Sequence, residues 1–233
     1  MDNTLPPNVH VSTHPCVRAK LSQLRSSSTN ARDTKTLVHE IATIVGCEAL
    51  AHGLETVQTG TDTTPLGYTY STEDTAPAHI ALVPILRSGL SMLDAVQALL
   101  PAPVPVHHLG MYREKTTFQP VEYYNNLPYH KPSAATDTSD ASGASELAII
   151  VDPIIATGST VCAAIDTLRD WGVTRIISLS ILASEGGLKR AAETWPEGVE
   201  FWVGGVDAET DERGMIKPGV GDIGDRLFLT VGK

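Results

Sequence analysis

Asp152-Pro153-Ile154-Ile155-Ala156-Thr157-Gly158-Ser159-Thr160 sets a carboxylate after the apolar run LAIIV, then gathers small residues where a helical pattern starts. The first turn of a helix leaves backbone N–H groups unpaired, and the macrodipole there favours negative charge. Ala156 and Gly158 keep bulk away from those amides, while Thr157, Ser159 and Thr160 add hydroxyl donors, so a phosphate could approach the backbone. Asp152 stands at the carboxyl end of its strand, where open α/β sheets bind ligands, and would suit sugar hydroxyls or Mg²⁺. Read alone, the stretch serves equally as a capped strand-to-helix turn with Ser159 or Thr160 as N-cap. No Gly-Lys-Ser/Thr and no G-x-G-x-x-G occurs in it, so neither an ATPase nor a dinucleotide fold is supported.

Two arginines and a glycine-rich tail complete the chemistry. Arg87 follows the apolar run IALVPIL within a tight RSG break, and Arg113 follows HHLGMY. A single arginine at a strand end is usually a solvated charge or an ion-pair partner. Two of them beside a phosphate nest read better as a clamp for a second anionic group, because guanidinium forks match phosphate oxygens. The tail RGMIKPGVGDIGDRLFLT carries Gly214, Gly219, Gly221 and Gly224 with Asp222 and Asp225 between them. Turns before a final strand would explain it. Glycine at that density would also let a planar ligand lie against the backbone and bond to its N–H and C=O groups.

The elements that must position these residues follow from periodicity. Residues 1–15, with three prolines, form an extended arm. Residues 16–54 repeat apolar side chains at three and four, giving two helices joined by SSSTNARDT, with Asp33 or Thr34 as the second N-cap. IALVPIL, then a helical run to Pro101, then VPVHHLGMY make a strand–helix–strand unit. LAIIV, the helix after the phosphate turn and RIISLSILA make another, and VEFWVGGV is a further strand. The expected fold is α/β, a mainly parallel sheet flanked by helices, with an N-terminal helical segment and a β-rich flap and tail. Residues 16–233 form one domain with a flexible loop at 112–128. Residues 129–146, rich in Ser, Ala, Asp and Thr, read as a mobile surface insertion.

Composition narrows the partners. A formal charge of −10 excludes a general nucleic-acid binder without forbidding a locally basic cleft. Three widely spaced cysteines argue against a disulfide framework or zinc cluster. Neither a membrane-spanning apolar run nor a leader-like N-terminus occurs, so the cytoplasm is the expected compartment. His107 and His108 alternate across a strand and make a poor metal pair.

Five blocks in order carry a resemblance: HPCVRAKLSQLR, VPILRSGLSMLDAV, YREKTTFQPVEYYNNLP, VDPIIATGSTVCAAI and GMIKPGVGDIGDRLF. Together they resemble the uracil phosphoribosyltransferases, a branch of the type I phosphoribosyltransferases, over residues 14–230. The resemblance implies transfer of phosphoribose from phosphoribosyl pyrophosphate (PRPP) to uracil, giving UMP and pyrophosphate. Mg²⁺ would be held mainly by the donor's pyrophosphate. It further implies that residues 152–160 hold the ribose and 5′-phosphate, that Arg87 and Arg113 meet the phosphate-rich side, and that the backbone of Ile216, Gly221, Asp222 and Ile223 binds uracil. Asp222 would also face the donor, and Tyr123, Tyr124 and Asn125 would belong to a closing loop or, for the tyrosines, a subunit contact. A homodimer or homotetramer and a GTP effector are implied in the same way. Two departures stand out. Ser159 replaces a second glycine common in the loop, which restricts its backbone, and Ile223 replaces alanine or phenylalanine. If the carry-over is right, Arg113→Ala damages turnover far more than folding; an unchanged turnover number, at an unchanged unfolding midpoint, removes that arginine from the mechanism.

Overall fold

The structure is a computed structural model that describes residues 5–114, 120–128 and 144–230, the Arg113 side chain excepted. Most of the 129–146 insertion and the centre of the 112–128 loop lie outside the described residues. The chain opens with β1 (Val9–Val11), α1 (Pro15–Arg25) and α2 (Ala31–Gly53), followed by a hairpin of β2 (Glu55–Thr63) and β3 (Thr69–Ala76). Next come β4 (Ile80–Leu86), α3 (Leu90–Gln97), β5 (Leu109–Arg113) and β6 (Pro120–Asn125). The central units are β7 (Leu147–Val151), β8 (Ile154–Ile155), α4 (Ser159–Trp171), β9 (Arg175–Ser180), β10 (Leu182–Ser184), α5 (Glu185–Ala192) and β11 (Val199–Val203). The tail holds β12 (Val206–Asp207), β13 (Glu209–Thr210), β14 (Ile216–Lys217) and α6 (Ile223–Phe228).

Seven strands form the main sheet in the order β1-β11-β9-β7-β4-β5-β6. Every neighbouring pair is parallel except β5 with β6. Strands of a parallel sheet are buried on both faces, which is why β7 is apolar at every position instead of alternating. Ile149 joins the core made with Leu24, Ile41, Val96 and Leu227 on one face. Its neighbour Ile150 joins Ile165, Leu168 and Leu188 of α4 and α5 on the other. The register Pro84↔Val151, Val151↔Leu179 and Ser180↔Val203 brings the carboxyl ends of β4, β7, β9 and β11 to one edge. Arg87 and Asp152 emerge there.

Several expectations are corrected. Asn30, not Asp33 or Thr34, caps α2, its side-chain oxygen accepting the Asp33 N–H at 3.0 Å, and Asp33 sits in the first turn. Only the end of VPVHHLGMY is a strand, because Val106 makes one isolated bridge to Leu82 before β5 begins at Leu109. RIISLSILA divides at Ile181 into β9 and β10, and β10 pairs with β8 and β12 in a small second sheet. The β2–β3 hairpin escaped the pattern reading because every residue of β2 is exposed and no apolar alternation marks it. The tail has short strands followed by α6, so the alternative of turns before a final strand does not describe it: Asp222 caps the helix by accepting the Asp225 N–H at 3.0 Å. Among the described residues, no helix is long and apolar enough to cross a membrane.

Arg226 fastens α6 to the N-terminal helices. Its guanidinium donates to the carbonyls of Leu24 (2.6 Å), Val220 (2.7 Å) and Ser26 (3.1 Å). Partial burial lowers its pKa without removing its charge. Arg226→Met keeps the stem and leaves those acceptors unpaired, so unfolding in urea should show a loss of about 1–3 kcal/mol.

Candidate active site

The phosphate turn departs from the capped-turn reading in an informative way. Gly158, not Ser159 or Thr160, is the N-cap of α4; it sits at φ 78°, and no side chain caps the helix. An uncapped first turn presents its amides outward, as an anion site requires. Ser159 already lies in the helix, so a helical backbone suffices at that position and the missing second glycine imposes no left-handed angle. Its hydroxyl instead accepts from Nη1 of Arg190 on α5 at 3.1 Å.

The loop is braced from behind by the start of α5. A Cβ on Gly158 would fall 2.4 Å from the Gly187 carbonyl oxygen, and one on Gly187 would fall 2.0 Å from that of Ala156. Ser184 donates its hydroxyl to the Ala156 carbonyl and accepts the Gly187 N–H at 3.0 Å. A cleft of about 90 Å³ remains in front, lined by Asp152, Ile154, Ala156, Thr157, Gly158 and Thr160. Sequence reasoning missed Ser184, Gly187 and Arg190, because each meets the turn from a separate element that no local pattern links to it.

Asp152 is buried at the end of β7 and accepts from Ser88 Oγ at 3.2 Å. Burial raises its pKa to about 7; the Ser88 hydroxyl and the Ile154 N–H pull it down by less. Arg87 is exposed; its Nη2 lies 3.4 Å from Thr230 Oγ1, and its guanidinium stands 5.7 Å from the Phe228 ring centre. Arg113 ends β5, and the pairing Leu86↔Gly110 brings its backbone to the same edge of the sheet as Arg87.

Across from the turn lies a second cavity of about 230 Å³, lined by Arg87, Ser88, Ile154, Met215, Gly221, Asp222, Ile223 and Gly224. Ile154 belongs to both cavities. The glycine wall is held from outside. Arg25 grips Asp207 with two contacts of 2.7 Å and donates to the Gly219 carbonyl at 2.8 Å. Asp207 in turn accepts the Gly219 N–H at 2.9 Å. Gly219 takes φ 62°, and a Cβ there would lie 2.1 Å from the Ile216 carbonyl oxygen, so no other residue fits.

The sequence profile described as uracil phosphoribosyltransferase matches residues 11–230. The chain belongs to the uracil phosphoribosyltransferase family. A uracil phosphoribosyltransferase from Listeria innocua is 39% identical over 224 residues, covering 96% of this chain and 99% of that protein. One from Halalkalibacterium halodurans is 37% identical, covering 95% and 98%. Among solved structures, the AQ2163 protein of Aquifex aeolicus is similar with a TM-score of 0.81 at 30% identity, covering 95% of this chain and 98% of that one.

As a member of the uracil phosphoribosyltransferase family, the chain keeps its substituted Ile223 inside the core, with Ile216 and Leu227, at 6% exposure. A bulky residue is therefore accommodated in the cavity wall with its side chain packed into the core. Tyr123 and Tyr124 lie on β6 and are exposed, with Tyr124 opposite Gly110 and the Tyr123 ring 6.1 Å from the Tyr112 ring. His107 meets Trp171 edge-on at 5.2 Å.

Asp152 gives this family member a pH signature. Its folded pKa, about 7 against 3.8 unfolded, means the native state binds the extra proton between those values. Stability from this group is complete below pH 4 and falls as pH rises through 7, by up to about 4 kcal/mol at roughly 1.4 kcal/mol per unit. Asp152→Asn should flatten that slope and raise stability at pH 8, read from urea unfolding at pH 5 and pH 8; parallel slopes in both proteins would refute a buried neutral carboxyl.

Proposed function

We propose that this protein transfers the 5-phosphoribosyl group of PRPP to N1 of uracil, releasing UMP and pyrophosphate, a step of pyrimidine salvage. The observation that carries the reading is the meeting at Ile154 of an uncapped helix N-terminus and a glycine-walled cavity. One suits a sugar phosphate and the other a flat base. In the reaction the bond from C1 of ribose to the pyrophosphate oxygen breaks, its electron pair leaving with pyrophosphate, while the N1–C1 bond forms. The N1 proton goes to solvent or product; no protein base is assigned.

The roles follow from where charge moves. The amides of residues 157–160 would hold the 5′-phosphate, and Ala156 and Gly158 let it come close. Positive charge grows on the sugar in the transition state, so Asp222, on the cavity wall, would stabilise it, while Arg87 and Arg113 would stabilise the leaving group. Asp152, with Ser88, would meet ribose hydroxyls; in its neutral form it can donate as well as accept. The backbone around Ile216, Gly221, Asp222 and Ile223 would read uracil through one N–H and one C=O, so cytosine would be rejected by about 1–3 kcal/mol per mismatched group.

The donor set suits Mg²⁺ carried by the donor: a buried Asp152, whose charged form burial disfavours, is a poor ligand for a hard cation, whereas pyrophosphate supplies its oxygens. When bound, the ion neutralises charge on the departing pyrophosphate. A homodimer or homotetramer and a GTP effector belong to the same reading and rest on the family resemblance, whereas a cytoplasmic setting rests on the sequence pattern alone.

The deciding experiment measures product from folded protein with PRPP, Mg²⁺ and millimolar base. UMP from uracil, little CMP from cytosine, and a turnover at least tenfold lower in Asp222→Asn are expected. Donor binding by calorimetry without turnover would mark a nucleotide sensor instead. Preference for hypoxanthine or guanine would move the activity to purines.

A further inference from the structure

A second cluster of chemically capable side chains lies on the opposite flank of the sheet. His10 on β1, His52 in the last turn of α2 and Glu200 on β11 offer ligand atoms that all lie within 4.8 Å of one another. Nε2 of His52 stands 3.6 Å from Glu200 Oε2, and Nε2 of His10 stands 4.0 Å from the same oxygen. Three independent elements thus converge on one point, two through imidazole nitrogens and one through a carboxylate.

The cluster is organised rather than incidental. The register His10↔Trp202 places the indole beside His10, and the two rings stack at 4.2 Å and 17°. Glu200, two residues before Trp202 on the same strand face, receives the indole N–H at 3.4 Å. Trp202 therefore orients both a nitrogen ligand and the oxygen ligand, the part that second-shell groups play around metals. Half-exposed His52 leaves one side open to water.

We propose that His10, His52 and Glu200 form a zinc site that fastens β1 to the end of α2. Two imidazoles and a carboxylate with a fourth position for water is a zinc donor set, and bond lengths near 2.0–2.2 Å put tetrahedral ligand atoms about 3.4 Å apart. The two closest separations lie within half an ångström or so of that value, and rotation of Glu200 and His52 closes the remainder. The site is separate from the proposed phosphoribosyl centre: β1 is three strands from β7, about 14 Å across the sheet. None of the three residues lines either cavity there.

Calorimetry of the full chain with Zn²⁺ tests the site. One ion should bind with micromolar or tighter affinity, raise the unfolding temperature and alter tryptophan emission. His52→Ala and His10→Asn should each weaken binding at least tenfold and abolish the thermal shift. The rate of UMP formation without zinc should be the same in His52→Ala as in the unaltered protein. His52 is exposed enough for that variant to fold, and Glu200→Gln offers an independent loss of the oxygen ligand. Binding weaker than millimolar overturns the proposal. So does binding that survives His52→Ala and disappears in Cys16→Ser or Cys47→Ser, which would assign the metal to the exposed thiols.

Discussion

Main chain rests on main chain where Gly158 passes Gly187, and much of the site depends on that contact. Neither position has room for even a methyl group facing the other, because the obstructing atoms are carbonyl oxygens that cannot swing away. The approach allows α5 to support the phosphate turn without filling it. Arg190 reaches from that helix to Ser159, and Ser184 ties its own loop to Ala156. A helix start that would otherwise need a capping side chain is thus held from behind, and its amides stay turned toward the cleft.

The facing wall solves a different problem. A glycine-rich segment has few side chains to bury and much backbone freedom to lose, so it cannot hold a shape by packing alone. Here the peptide of Gly219 is gripped on both sides by the Arg25–Asp207 pair, with Asp207 only 8% exposed. Charges taken out of water in this way are costly singly and tolerable together, because their hydrogen bonds are complete. The arrangement leaves the edges of Gly221 and Asp222 available while fixing the chain that carries them.

The sheet was readable because burial on both faces writes itself as uninterrupted apolar runs, as in LAIIV and IALVPIL. The phosphate turn was readable because small residues at a strand-to-helix junction have few other uses. What could not be read is equally physical. The β2–β3 hairpin has no buried face, so no periodicity records it. The helical end of the tail was hidden because glycines at 221 and 224 flank its start and only the Asp222 cap marks it. Arg25, Asp207 and Arg190 act across wide sequence separations, up to 182 positions for Arg25 and Asp207, and no local pattern announces such a pair. The role of Asp222 came from family motifs rather than from spacing.

One further consequence concerns the order in which the molecule can assemble. Among the described residues β1 pairs in the sheet with β11 alone, so Val9 waits for Phe201, and Arg226 closes on the Leu24 carbonyl across 202 positions. Closing loops of that length costs entropy before any contact repays it. On the ribosome the helices α1 and α2 can coil early, yet the surface that meets α6 stays unfinished until Arg226 has emerged, which makes the nascent chain, rather than the mature protein, the form most exposed to misassociation.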